Sequence, residues 1–129
     1  MIITRIMICP DGVTLNSKHR HDYVTHVYNN KYYALDGGVG NGYYRSAGTE
    51  HGGIIKEYTI NDSIEELREV FHWGVNLTKD KELLPETKWT LLKDLEDEHL
   101  DALFDYSKLD WQKILWLKEK LYRAEQEYE

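Results

Sequence analysis

His19-Arg20-His21-Asp22, with His26 four residues further on, gathers imidazoles, a guanidinium and a carboxylate into a short span. Such groups can ligate a transition metal or move protons near neutral pH. In a strand His19 and His21 face the same side, and together with Asp36 they form the candidate metal set of a small metal-dependent hydrolase. No His-Glu-x-x-His or other closed ligand pattern accompanies them, so a solvated strand edge is the plainer reading.

Asp36-Gly37-Gly38-Val39-Gly40-Asn41-Gly42 is too glycine-dense for regular structure, and its N–H groups could approach a phosphate closely. The dinucleotide fingerprint fails here, because Gly38-x-Gly40-x-Gly42 leads into another apparent strand rather than a helix. Tyr43-Tyr44-Arg45 follows, expected opposite part of Lys31-Tyr32-Tyr33 in a hairpin. Tyrosine can stack on a base and arginine can grip a phosphate bidentately. Strand alternation sets Arg45 on the face of Tyr43, with Tyr44 on the other. If Arg20 arrives from a neighbouring strand or a second subunit, the candidate ligand-binding residues are Arg20, His21, Asp36, Gly38, Gly40, Tyr44 and Arg45. A small anionic nucleotide suits them better than a nucleic-acid polymer, which wants a positive channel.

Nucleophilic catalysis has little to work with. No Gly-x-Ser-x-Gly occurs, and Cys9, the single cysteine, lies in an apolar run where a thiol is inert. No cofactor is implied. Trp73, Trp89, Trp111 and Trp116 suit the seam between helices and sheet, except that Trp116 falls off the expected inner stripe of its helix. It is the candidate anchor for a partner protein.

The elements that must position these groups divide the chain in two. The 129 residues carry a net charge of −7, with a balance of +1 over residues 1–60 and −8 over residues 61–129. Eight of nine glycines and seven of ten tyrosines fall in the first part, and all four tryptophans in the second. No apolar run approaches the length of a membrane-spanning helix, and a lone cysteine excludes an internal disulfide. Ile2 to Cys9, Tyr23 to Tyr28, Lys31 to Leu35, Tyr43 to Ser46 and Ile54 to Ile60 read as strands, with a turn at Asn29-Asn30.

Beyond residue 61 the period changes. Ser63-x-x-Glu66 is a capping box opening a helix whose stripe is Ile64, Leu67, Val70 and Phe71, with Gly74 as its C-terminal stop. Residues 76–88, with Pro85, read as a loop. Further helices are expected over 94–106, with Leu95, His99, Leu100 and Leu103 inward, and over 109–126, with Trp111, Ile114, Leu115 and Leu121 inward. Glu125, Glu127 and Glu129 oppose the dipole at the end of the last helix. The expected fold is α+β, one domain over 1–129: an antiparallel sheet of four to five strands packed against about three helices.

Taken in order, His19-Arg20-His21-Asp22-Tyr23, Tyr33-Ala34-Leu35-Asp36-Gly37-Gly38, Tyr44-Arg45, Phe71-His72-Trp73-Gly74 and the run from Trp89 to Leu100 resemble a loose group of small, uncharacterised proteins of tailed bacteriophages. The resemblance spans most of the chain and carries no activity to transfer. It implies a non-structural accessory protein acting in the host bacterial cytoplasm, where such proteins often bind a host enzyme or sequester a defence signal. The expectation is therefore a non-catalytic binder, free of membrane, that takes a small anionic nucleotide or a host protein. It could also be a homo-oligomer. The hydrolase built on His19, His21, Asp22 and Asp36 is the alternative.

Overall fold

In the computed structural model, which describes residues 1–37, 43–78 and 80–128, the apolar N-terminal run becomes β1 (Thr4–Ile8). Both faces of β1 are covered. Ile6 and Ile8 turn to a core shared with Tyr58, Leu67, Phe71 and Leu115, while Met7 and Cys9 turn to a second core with Leu15, Tyr33 and Leu35. A strand buried on both sides needs an unbroken apolar run rather than alternation, which is why Ile2 to Cys9 reads as it does.

β1 pairs antiparallel with β2 (Thr14–Leu15) and β6 (Ile54–Tyr58), in the order β2-β1-β6. A second sheet has the order β3-β4-β5, from β3 (Val24–Tyr28), β4 (Lys31–Asp36) and β5 (Arg45–Ala47). The β3–β4 hairpin turns at Asn29 and Asn30, with φ of 51° and 59°. Two successive left-handed residues match the right-handed twist of the strands, and asparagine tolerates that conformation.

The strands of residues 1–60 therefore make two three-stranded sheets, not one of four to five strands. Strand periodicity reveals a strand's faces but not its partner, and β1 pairs with β6 across nearly fifty residues of chain. Tyr43 to Ser46 does not lie opposite Lys31 to Tyr33 either; Arg45 pairs with Asp36 and Ser46 with Leu35.

α1 (Ile64–Val70) begins at Ser63, whose hydroxyl accepts the Glu66 N–H at 3.4 Å. The carboxylate of Glu66 turns instead to Lys56 at 2.8 Å. Two expectations fail after α1. Gly74 does not stop a helix, and residues 76–88 are not simply a loop: β7 (His72–Leu77) and β8 (Leu83–Leu91) form an antiparallel ribbon. A β-carbon on Gly74 would approach the Trp89 ring to 3.2 Å, so glycine lets the indole lie across β7. Pro85 falls where the pairing register shifts between Val75 and Leu77, a site that asks little of a backbone donor.

α2 (Asp97–Tyr106) starts three residues later than expected, after a 3-10 turn over Leu92–Asp94. α3 (Asp110–Glu127) buries Leu115, Trp116 and Glu119. Ile114 and Leu121, expected inward, are about half exposed, and Trp116, expected outside, is 0% exposed. Its indole N–H donates to the Ser107 hydroxyl at 2.8 Å, and its ring meets Trp73 and Phe71 edge to face. The apolar residues of α3 lie on two faces of the helix, and packing against α1 and β7 selects the one containing Trp116. Trp116 is thereby removed as a surface anchor. Among the described residues no helix is long and apolar enough to cross a membrane.

Candidate functional site

The segment from Ser17 to Asp22 is a loop, not a strand, and it is tied closely. Ser17, fully buried, donates its hydroxyl to the Asp22 carbonyl at 2.7 Å and accepts the Gly37 N–H at 3.0 Å. The Asp22 carboxylate accepts the Lys18 N–H at 2.8 Å. His21 has a left-handed φ of 69°, so the alternation that would align His19 with His21 does not apply. His19 stacks on Trp89 at 4.7 Å and donates its Nδ1–H to the Arg20 carbonyl at 2.8 Å, whereas His21 meets the Tyr43 ring at 5.0 Å. His26 pairs with Asp11 at 2.8 Å, and that hydrogen bond holds the Asp11 carboxyl below its ordinary range.

The candidate metal set of His19, His21 and Asp36 is thus not assembled. Among the described residues no group of three or more His, Cys, Asp or Glu is arranged to hold a metal ion. One imidazole of the pair packs on β8 and the other beside β5, so the sequence neighbours diverge. Cys9 is buried, and burial pushes its thiol up from the ordinary value, as an inert side chain requires.

The same loop does bring Arg20 to Tyr43. The Arg20 guanidinium lies 4.6 Å from the centre of the Tyr43 ring, and that of Arg45 lies 5.4 Å from it. The two cations are therefore within about 10 Å of each other. Among the described residues neither is in a salt bridge, and both are exposed. Tyr43 donates its hydroxyl to Asp36 Oδ2 at 3.3 Å. Asp36 is buried, and its Oδ1 has no hydrogen-bond partner among the described residues.

Glycine matters here at Gly37, whose φ is 94°. A β-carbon there would collide with the Tyr43 carbonyl oxygen, so the close approach that glycine permits is to Tyr43 itself. Gly38 and Gly40, the other glycines of the candidate site, lie outside the described residues.

Tyr44 does not belong to the cluster. Its hydroxyl donates to the Ile2 carbonyl at 3.0 Å, and Arg5 covers its ring at 4.8 Å. In the stretch leading into β5, Tyr44 turns to Ile2 and Arg5 while Tyr43 lies with Arg20 and Arg45, both rings being half-buried. Tyr43 is the ring that counts.

Arg5 is a residue whose role the sequence concealed. It shares the face of β1 that carries Met7, and its Nη2 donates to the Arg45 carbonyl at 2.7 Å and the Asp36 carbonyl at 3.3 Å. Burial pushes its guanidinium down from the ordinary value, while Glu57, Tyr44 and Asp36 act in the opposite sense. One buried cation thus holds the facing backbone positions that carry Asp36 and Arg45. A charged residue inside an apolar run is the signal that could have found it.

A separate concavity of about 410 Å³ lies where the β7–β8 ribbon meets the start of α3, lined by Trp73, Thr87, Trp89, Leu109, Trp111 and Gln112 among others. None of its lining residues is titratable. It offers shape and apolar surface rather than charge, and Trp89 joins it to the His19 loop.

Comparison with models of known protein families, with curated proteins and with solved structures finds no match to this chain.

Proposed function

We propose that the protein is a non-catalytic binder of a small phosphate-bearing ligand of nucleotide type, held at Arg20 and Arg45 around Tyr43. The observation that carries this reading is the pair of exposed guanidinium groups set over one ring with no carboxylate claiming either among the described residues. An arginine held only by a ring keeps its fork of donors for an oxyanion. The pair lies in the part of the chain, residues 1–60, whose charge balance is +1 in a protein of net charge −7.

Asp36 positions the ring. Its Oδ2 accepts the Tyr43 hydroxyl at 3.3 Å and fixes the tilt of the ring between the two cations, while its Oδ1 is enclosed. His21, at the edge of Tyr43, adds a further donor beside the phosphate. The resemblance to small tailed-phage proteins supports an accessory role in the host bacterial cytoplasm, where sequestering a nucleotide signal would blunt a defence response. Inhibition of a host protein loses its proposed anchor with the burial of Trp116.

Titration calorimetry against cyclic and linear nucleotides, with inorganic phosphate as comparator, tests the reading. A charge-assisted hydrogen bond contributes roughly 1.5–3 kcal/mol, so Arg45→Ala should weaken nucleotide binding by about tenfold to a hundredfold. Tyr43→Ala should weaken it as well by releasing both cations, while Tyr44→Phe should leave it unchanged. Absence of heat with every nucleotide, or heat unaffected by Arg45→Ala, would defeat the proposal.

A further inference from the structure

Three of the four tryptophans surround one hollow. Trp73 on β7, Trp89 on β8 and Trp111 at the start of α3 are half-buried and line the concavity of about 410 Å³. Each ring is held from behind. Trp73 and Trp111 both pack on the buried Phe71, and Trp73 meets the buried Trp116 edge to face at 5.0 Å. His19 covers one face of Trp89 at 4.7 Å, so a ligand in the hollow can meet only the other face and the ring edge. Gly74 lies directly across the ribbon from Trp89, and a β-carbon there would crowd the indole to 3.2 Å. The walls are thus set by packing before any ligand arrives, the condition under which little ordering is lost on binding.

Polar groups with open capacity stand among the rings. Thr87 donates its hydroxyl to Asn76 Oδ1 at 2.6 Å, which leaves the amide N–H donors of Asn76 uncommitted among the described residues. The Gln112 amide has no hydrogen-bond partner among the described residues, and neither have the indole N–H groups of Trp73, Trp89 and Trp111. No lining residue is charged. A phosphate or carboxylate entering the hollow would therefore lose hydration without gaining a partner of opposite charge. A quaternary ammonium could take the ring faces but would leave the amides idle. The Phe71 ring lies 20° from the plane of Trp73 and 72° from that of Trp111, so these two indoles are crossed. A flat nucleobase stacks on one of two crossed rings and leaves the other unused. A sugar ring meets all three demands. It is neutral, it directs C–H groups to more than one side, where the negative faces of crossed indoles attract them, and its hydroxyls donate and accept as side-chain amides do.

We propose that this hollow is a second binding site, for a neutral pyranose sugar whose C–H faces pack on Trp73 and Trp111 while Asn76 and Gln112 bond its hydroxyls. The volume lies near the lower end for ligand pockets, which suits a mono- or disaccharide unit, free or at the end of a glycan, rather than an extended chain. The ligand site around Tyr43 plays no part in the proposal.

The indole N–H signals in a nitrogen-15 NMR titration test it. The methyl glycosides of glucose, galactose, mannose and N-acetylglucosamine are titrated beside the disaccharides cellobiose and lactose. At least one of them should move the signals of Trp73, Trp89 and Trp111 saturably, with Trp116, whose N–H is bonded to Ser107, moving least. Tighter binding of a disaccharide than of its component methyl glycosides identifies a glycan unit as the ligand, and equal binding a free sugar. Gln112→Ala and Asn76→Ala should each weaken binding by about three- to tenfold, the equivalent of one neutral hydrogen bond. Choline chloride, adenine and a proline-rich peptide, titrated in the same way, should leave the signals in place. No saturable shift with any of the sugars, a response to one of these three comparators instead, or sugar affinity untouched by both amide substitutions would overturn the proposal.

Discussion

Arg68 and Arg123 lie against Glu119, whereas Arg20 and Arg45 lie against Tyr43. In the first region α1 and α3 converge on a carboxylate that is 0% exposed, with Arg68 Nε at 2.9 Å, Arg68 Nη2 at 3.1 Å and Arg123 Nε at 2.7 Å. Arg123 also reaches Asp97 at 2.7 Å and the Leu92 carbonyl at 3.1 Å. The hydrogen bond to Glu119 pushes the Arg68 guanidinium up from its ordinary value. Both arginines are committed to the Glu119 carboxylate, which is itself closed to solvent. In the second region the guanidinium groups rest on a ring, exposed, with their hydrogen-bonding edges uncommitted to a carboxylate among the described residues. A buried charge must be paired to be tolerated. One held at the surface by a cation–π contact contributes little to stability and stays available.

The sharpest way to break this comparison is to remove the shared carboxylate. Glu119→Ala leaves two partly buried guanidinium groups facing an empty space and should destabilise the fold by about 3–5 kcal/mol, the usual cost of orphaning one partner of a buried pair. Chemical denaturation measures it, and a loss below about 1 kcal/mol would mean that the network behaves as a surface ion pair.

Arg5 tests the link between framework and site. Arg5→Met keeps the apolar stem but removes the donors to the Asp36 and Arg45 carbonyls, so stability should fall by about 1–3 kcal/mol. Because those carbonyls anchor β4 to β5 beneath Tyr43, nucleotide affinity should fall with it. Lost stability with unchanged affinity would separate the two roles.

A smaller effect concerns His72, a buried imidazole in neither category. Burial holds its pKa below the ordinary value of 6.5, and Lys18 acts in the same direction. The unfolded chain therefore takes up a proton near 6.5 that the folded protein resists, so stability should decline as pH falls from about 7 towards 5. Melting temperatures across that window should show a shallower slope in His72→Gln.

The smallest expected effect belongs to the site itself. Arg20→Ala and Arg45→Ala, alone or together, should alter stability by no more than about 0.5 kcal/mol, as surface substitutions usually do. A large loss would mark Tyr43 and its cations as structural, the counterpart of Glu119 rather than its contrast.

Much of the local structure is legible in the sequence. The apolar run of β1, the alternation of β3, the Asn29-Asn30 turn, and the capping serine of α1 are each set by conformational preferences within a few residues. Arg20 and Arg45 are identifiable as candidate cations from residue type, whereas only the folded loop brings Arg20 to the Tyr43 ring. Phe71-His72-Trp73-Gly74 is where local reading misleads: Ile64, Leu67, Val70 and Phe71 sustain a helical stripe up to the residue at which the chain turns into β7.

Tertiary structure alone decides the rest. Which strand lies beside β1, which apolar face of α3 is covered, and whether Tyr43 or Tyr44 faces outward all depend on contacts between residues distant in sequence. Periodicity determines that two faces exist, because it follows from the geometry of one residue and its neighbours. It cannot determine which face is buried. That choice belongs to the partner surface: α1 and β7 cover the Trp116 side of α3, and Ile2 and Arg5 capture Tyr44, so Tyr43 is the tyrosine left between Arg20 and Arg45.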